Sequence, residues 1–379
     1  MRAHAAVGSE HDLRSRPGEL APGRPSITLM THSPAPRRGR MVGLATALPP
    51  LKASVDEVWD ALGKARGRRM PKLQSDEGAR TRHFAQPLTS LMERRTQSQQ
   101  TDAYLEHARV LARQVCCAAL ERSRIDVADI GLVVGVSCTG VVLPSLDAEL
   151  IPILGLQPGI ARLPITELGC GGGVAGLARA LDYVRAYPDR AALVFAVELP
   201  SLTFQPDDHS VDNLIAAIVF GDGAGAAVVR AGDAPAGWTV EHCGTMLVPE
   251  GARHLGYQLR DGGLQVVLSR DLPQMVEAHL LEAVDSFLAG AGTSLAEIDL
   301  VAAHPGGPGI FDAIERALRL RPDALVMSRQ VFSEDGNASS AGIFFVLDAI
   351  EKARSSGRVL AIAFGPGLSI ELALMRLTL

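Results

Sequence analysis

Three side chains in this sequence could share one chemical task. They are Cys170 in Leu168-Gly169-Cys170-Gly171-Gly172-Gly173, His304 in Ala303-His304-Pro305-Gly306-Gly307, and Asn337 in Gly336-Asn337-Ala338-Ser339-Ser340. The cysteine follows a short apolar strand, "ARLPI". After it, apolar residues at Val174, Leu177, Ala180, Leu181 and Val184 have the spacing of a helix with one buried face. A strand that turns into a helix through glycines sets its middle side chain at the helix N-terminus, where free N–H groups favour an anion. A thiol there ionises more readily, and glycine neighbours let a substrate approach the backbone. His304 can share the thiol proton and hold an imidazolium beside the thiolate. Asn337 offers an N–H donor that does not titrate, suited to a developing oxyanion. Each of the three reads as standing beside a strand-to-helix junction next to glycines, and such junctions gather at one edge of an open α/β sheet. A buried structural cysteine, a hydrogen-bonded histidine and a turn asparagine are the plainer accounts of each residue alone. Together the three describe a thiol nucleophile with acid/base and oxyanion partners. Acyl transfer, thioester condensation and hydrolysis all remain open at this point.

The elements that must position these residues alternate along the chain. "MVGLATALPP", "DIGLVVGVSCTG", "RAALVFAVELP", "WTVEHCGTMLVP", "GLQVVLSRDLP" and "EIDLVAAH" read as strands, and "RVLAIAFGPGLSIELALMRL" as two more. Between them lie helical patterns: "SVDEVWDALGKA" with Ser54 as N-cap, the long "SQQTDAYLEHARVLARQVCCAALERS" with Cys116 and Cys117 as packing residues, "SLDAELIPILGL", "DLPQMVEAHLLEAVDSFLAGAG", "PGGPGIFDAIERALRL" and "NASSAGIFFVLDAIEKARSSG". Buried strands alternating with helices imply an α/β body of mixed or mostly parallel sheets covered on both faces. "GDGAGA" leads from helix into strand, whereas a nucleotide-cradling loop leads from strand into helix.

Composition narrows the classes. The chain has 379 residues, 47% hydrophobic, enough for a large core. A net charge of -5 and 4% aromatic residues argue against a nucleic-acid partner. The five cysteines, Cys116, Cys117, Cys138, Cys170 and Cys243, are odd in number and irregular in spacing, a reducing-compartment pattern that points to the cytoplasm. No C-x2-C pair suggests a metal, and no apolar run reaches the roughly 18 residues of a membrane span. Residues 1–40, with seven Arg against three acidic residues, read as a disordered arm outside the fold. Arg66, Arg68, Arg69 and Lys72 form either a solvated loop or a patch for an anionic group such as a CoA phosphate.

The motifs "LGCGGG…AGLARA", "FGDGAGA", "HPGGPGI", "GNASSAGIFFVLD" and "FGPGLSIE" resemble, in wording and order, those of type III polyketide synthases. These are the chalcone- and stilbene-synthase-like members of the thiolase superfamily. The resemblance runs from about Met41 to the C-terminus, and "SCTGVVLPSLDAEL" and "AVELPSLTFQPDD" look more like the bacterial members than the plant enzymes. It implies a thiolase-like five-layer αβαβα fold made of two similar halves, 41–237 carrying the nucleophile and 238–379 carrying the histidine and asparagine. It further implies a homodimer and iterative decarboxylative condensation of malonyl-CoA onto an acyl-CoA starter, with CoA thioesters as substrates and no cofactor. On this resemblance Cys170 takes the starter and holds the growing chain, while His304 and Asn337 polarise the malonyl thioester and stabilise the enolate left by loss of CO2.

The same resemblance places a substrate cavity. Phe220 matches an aromatic gate, Val266 stands where a second gate phenylalanine is expected, and Tyr257 falls near a position that is glycine in the plant enzymes. Cys138, Thr139 and Thr203 line cavity segments, with Cys138 also readable as an inert wall. Ser339 and Gly367 belong to the "GNASS" and "GPG" motifs, and Leu143 matches a residue that reaches across the dimer. A small residue at Val266 would enlarge or reshape the cavity, which favours an aliphatic starter and an alkylpyrone or alkylresorcinol product. Malonyl-primed tetrahydroxynaphthalene-type synthesis is the alternative within the family. A ketoacyl synthase III-like enzyme, a papain-like hydrolase and a non-catalytic acyl-CoA-binding protein are the rivals outside it.

Overall fold

The computed structural model describes residues 30–31, 38–65, 78–232 and 236–379. Up to Ala231 the elements are β1 (Met30–Thr31), β2 (Gly39–Ala47), β3 (Leu51–Ser54), α1 (Val55–Ala65), β4 (Thr81–Phe84), α2 (Gln97–Ser123), β5 (Ile130–Val136), α3 (Leu146–Ile153), β6 (Ala161–Ile165), α4 (Gly172–Ala186), β7 (Ala191–Glu198), α5 (Val211–Val219) and β8 (Gly223–Ala231). From Gly237 they are β9 (Gly237–Leu247), β10 (Leu255–Arg260), β11 (Gly263–Leu268), α6 (Leu272–Gly290), β12 (Leu300–Ala303), α7 (Pro308–Leu318), α8 (Val326–Asp335), α9 (Gly342–Lys352), β13 (Gly357–Gly365) and β14 (Ser369–Thr378).

The strands run β12-β13-β14-β9-β2-β8-β7-β5-β6, with β1 beside β9. Pairing is mixed: β5 is parallel to β6 and β7, β12 is parallel to β13, and β8 and β14 are antiparallel to their neighbours. Within the large sheet the two portions join where Gly39–Met41 pair with Trp238–Val240. α4 and α9 fill the space between the portions. α4 touches β5, β7 and β8 on one side and β9, β13 and β14 on the other, while α9 touches β2, β8 and β12. α2 covers the outer face of β2, β7 and β8, and α6 with α7 covers β14. This is the five-layer αβαβα order that the motifs implied.

Three apolar cores follow from these layers. The middle one joins Leu177, Leu181, Val194, Ile343, Phe344 and Met375. One outer core packs α2 residues such as Ala108, Leu111 and Val115 on Leu193 and Phe195, and the other packs Val276, Phe287 and Phe311 on Leu372. β7 is buried at all eight positions, which is why it reads as an unbroken apolar run. Each fully buried Leu or Phe contributes about 1.5–3 kcal/mol.

Several expectations need adjustment. Ser54 does cap α1, accepting from Glu57 N at 3.1 Å while its own N–H donates to Glu57 at 2.7 Å. Cys116 is buried but Cys117 is exposed, because adjacent helical residues point about 100° apart and cannot both face one core. β2 begins at Gly39, two residues before Met41, and Met30–Thr31 pair with Thr245 and Gly244. The rest of the N-terminal arm and the basic stretch Arg66–Lys72 lie outside the described residues. Two small antiparallel pairs, β3 with β4 and β10 with β11, flank the main sheet, and of these strands only β11 was anticipated. Among the described residues no helix is long and apolar enough to cross a membrane.

Candidate active site

Cys170 sits in a single tight turn, Gly169–Gly171, between β6 and α4. Gly169 adopts φ +47°, a left-handed conformation that a side chain would strain. Gly173 permits a second constraint. A Cβ there would lie 2.2 Å from the Ser340 carbonyl oxygen, so α4 can press against the turn before α9 only without one. That contact brings Cys170 to the Asn337-Ser339 segment. The Cys170 thiol lies 3.6 Å from Ser339 Oγ and 4.0 Å from Asn337 Oδ1.

Asn337 is held by its backbone and its side chain. Its N–H donates to Val219 O at 3.0 Å, and its carbonyl accepts from Gly221 N at 3.1 Å, a parallel bridge to Phe220. Its Oδ1 accepts from Ser339 N at 2.8 Å, and Ser339 itself has φ +46°. A left-handed serine costs on the order of 1 kcal/mol and turns its hydroxyl toward the sulfur. Asn337 therefore stands between two helices, α8 and α9, and not at the strand-to-helix junction expected. The apolar run that suggested one is helical on both sides of the turn.

His304 follows β12, with its N–H donating to Ile362 O at 2.7 Å. The ring is 3% exposed and lies against Gly342 at the start of α9. Neither ring nitrogen makes a hydrogen bond, so the expected thiol–imidazole bond is not formed, and the Ser339 hydroxyl takes the place beside the sulfur. Asn337 faces the ring closely enough to favour its charged form, though burial outweighs it and pushes His304 down to about 3. Burial likewise pushes Cys170 up to about 12, opposed by the Ser339 hydroxyl, Asn337 and the Cys170 N–H itself. Taken singly, each charge is disfavoured in this pocket.

The remaining predicted residues divide. Phe220, Val266 and Cys170 form one apolar cluster, with Tyr257 and Ala216 packed on it. Tyr257 stands directly across the β10–β11 hairpin from Val266. Burial raises its phenol well above the ordinary value, with the neighbouring Cys138, Cys170 and Glu198 raising it further and Thr203 opposing, so the phenol points into this site. Cys138 Sγ lies 3.3 Å from Ser339 Oγ. Thr139 is buried and fully engaged, donating to Glu198 at 2.7 Å and accepting from Leu199 N at 2.9 Å. It pins the wall and does not offer a free group. Thr203 donates to Pro200 O at 2.8 Å. Gly367 (φ +100°) turns toward Leu247, and it is Pro366 beside it that abuts Gly169. Leu143, 95% exposed, lies apart from the cluster.

Glu198 was missed. It is fully buried and accepts from Cys138 N, Thr139 N, Thr139 Oγ1 and Ser340 Oγ, while burial raises its pKa. It ties the Cys138 wall to the turn that carries Ser339. A lone carboxylate closing the otherwise apolar strand "AALVFAVE" was the available signal.

Comparison with known proteins bears on this geometry. Residues 85–233 match the family model for the N-terminal domain of chalcone and stilbene synthases, and residues 240–378 match that for the C-terminal domain. The chain is 35% identical over 365 residues to a 1,3,6,8-tetrahydroxynaphthalene synthase of Streptomyces peucetius subsp. caesius, covering 93% of this chain and 97% of that one. It is 29% identical over 387 residues to the alpha-pyrone synthesis polyketide synthase-like Pks18 of Mycobacterium tuberculosis, covering 96% and 97%. The crystal structure of the tetrahydroxynaphthalene synthase of Streptomyces coelicolor A3(2), described as a bacterial type III polyketide synthase, superposes with a TM-score of 0.83 at 30% identity, over 90% of this chain and 99% of that one. With its motifs, its layers and the convergence of thiol, imidazole and amide all in agreement, the chain belongs to the chalcone and stilbene synthase family and is a type III polyketide synthase.

Proposed function

We propose that this synthase is primed by malonyl-CoA and makes a short, cyclised polyketide of the tetrahydroxynaphthalene type. The observation that carries this reading is Tyr257. Val266 alone would leave space beside Cys170 for an aliphatic chain. Tyr257, directly opposite on the same hairpin, fills that side with a phenol and sets a polar hydroxyl near Cys138 and Cys170. A polar, compact pocket fits a malonyl-derived chain, whose carbonyls accept hydrogen bonds, better than an alkyl tail. The relatives named for tetrahydroxynaphthalene synthesis support the same reading.

In the proposed reaction the Cys170 proton passes to His304, the sulfur attacks the starter thioester, and the bond to CoA breaks as His304 returns the proton to the departing CoA sulfur, which leaves the imidazole neutral again. The malonyl thioester oxygen then accepts from the His304 ring N–H and the Asn337 amide N–H. Loss of CO2 leaves an enolate on that oxygen; its carbon attacks the Cys170 thioester carbonyl, the C–S bond to Cys170 breaks, and the thiolate released takes the extended chain back from its CoA ester for the next round. A histidine held neutral by burial keeps one N–H to donate and one lone pair to accept, which is what the two steps require. CoA thioesters are the substrates, and each step uses groups of the chain itself. A cytoplasmic setting is supported by five cysteines that are all free thiols.

The test is direct. Purified enzyme given malonyl-CoA alone should release an aromatic product, with little response to added fatty acyl-CoA of graded length. Product formed only when a fatty acyl-CoA is present would overturn the malonyl-primed reading in favour of an alkylpyrone or alkylresorcinol synthase.

A further inference from the structure

We infer that Arg82 is a positioning residue that keeps Asn337 aligned with Cys170, although it lies behind the site. Its side chain is wholly buried in β4. One guanidinium nitrogen donates to the carbonyl of Thr81 at 2.7 Å and another to that of Ile218, while Nε has no partner. The guanidinium carbon sits 5.2 Å from the centre of the Phe332 ring. Asp335, the carboxylate that favours this charge, reaches His83 at 3.8 Å. A buried cation hydrogen-bonded, among the described residues, to two carbonyls, with a ring face and one carboxylate nearby, adds little to stability, and an apolar residue would pack there at lower cost. Its geometry suggests the use.

Ile218 lies in the last turn of α5, which leads into Phe220, and Phe332 lies in the last turn of α8, which leads through Gly336 into Asn337. These are the two segments that pair to place Asn337. Arg82 grips both, and two glycines leave it the room. A Cβ on Gly336 (φ +82°) would lie 2.5 Å from Arg82 Cδ and 2.6 Å from Nε, and one on Gly221 would lie 3.3 Å from Cδ. Neighbouring groups of the same strand complete the clamp. Thr81 Oγ1 donates to Glu334 O, Arg80 N to Ser333 O, and His83 O accepts from Asp222 N. β4 is thus a back-plate for the amide, and Arg82 is its central bolt. Cys170 hangs from α4 on the other side and has no share in this clamp.

The inference rests on the role proposed above for Asn337, and it separates two partial reactions. In Arg82→Lys and Arg82→Met, decarboxylation of malonyl-CoA should fall about 10-fold or more in kcat, with KM within about threefold. Acylation of Cys170, followed by intact mass, should stay within about twofold of the parent in the same variants. Gly336→Ala keeps the arginine but pushes a methyl group into it, and should reproduce the split, so the test survives if Arg82→Met fails to fold. Thermal melts confirm that the proteins compared are folded. Equal losses in acylation and decarboxylation, or no loss in either, would overturn the inference. Asn337→Ala run alongside separates the two claims: if it decarboxylates normally, the role of Asn337 fails, and if it alone is impaired, only the role of Arg82 fails.

Discussion

Cys170 and His304 are both buried and both adjoin Asn337, and burial disfavours the charge on each. This gives a pH signature. In His304→Gln the thiol loses its proton acceptor, and its alkylation by iodoacetamide should climb about tenfold per pH unit from 7 to 9 without levelling. The parent should level at a lower pH, since proton transfer between the two residues creates the pair. Identical profiles would mean that His304 does not assist ionisation of the thiol. Exposed Cys117 gives an internal reference for reagent reactivity. Tyr257→Ala tests the pocket: removing the phenol opposite Val266 should raise the turnover of medium-chain acyl-CoA starters by about 10-fold or more relative to malonyl-CoA. An unchanged starter ratio would show that the hairpin does not set starter size. The three candidate residues could be singled out in the sequence because each stands next to glycine in a short local motif. The pairing of Tyr257 with Val266 was not, since a cross-strand neighbour depends on where the hairpin turns and not on proximity in the chain. Arg82 and Glu198 escaped for another reason: a single charged letter shows neither its burial nor the carbonyls and hydroxyls that fold around it.

At the scale of elements, α4 and α9 meet at Gly173, where the Ser340 carbonyl closes on the helix backbone. Gly173→Ala would force a methyl group to within 2.2 Å of that oxygen and 2.7 Å of Ile343. It should destabilise the fold by about 1–3 kcal/mol, read as a shift in urea midpoint, and it should also slow acylation of Cys170 by displacing the elbow. A midpoint within error of the parent would mean that the helices part freely. Periodicity forecast most of the helices and the buried strands, because each carries a repeat of its own. It did not reveal that α8 stands between β12 and Asn337 as part of the site. "VMSRQVFSED" carries an apolar pattern too weak to separate from the loop before it, and only packing of Phe332 and Val331 commits it to helix.

The whole molecule presents an unfinished edge. Among the described residues β6 ends the sheet with β5 as its single neighbour, and Leu143 projects from the adjoining loop with 95% of its surface exposed. Both are what an interface between two copies would cover, as the family resemblance implies. Sedimentation should give twice the 40.0 kDa chain mass, and Leu143→Asp should shift the equilibrium toward 40.0 kDa at micromolar concentration. A parent chain that sediments as a monomer would remove Leu143 from any cross-subunit role.

The β10–β11 hairpin forms a two-stranded sheet separate from the large one, yet it carries both Tyr257 and Val266. Cys170 and Asn337 stand beside the central helices α4 and α9, which pack between the two portions of the large sheet. On the roles proposed above, the molecule would divide into a layered body that carries the chemistry and a separate hairpin that sets the starter. On that reading, exchange of residues 255–268 as a cassette should change the product while the layers that hold Cys170 and Asn337 stay as they are.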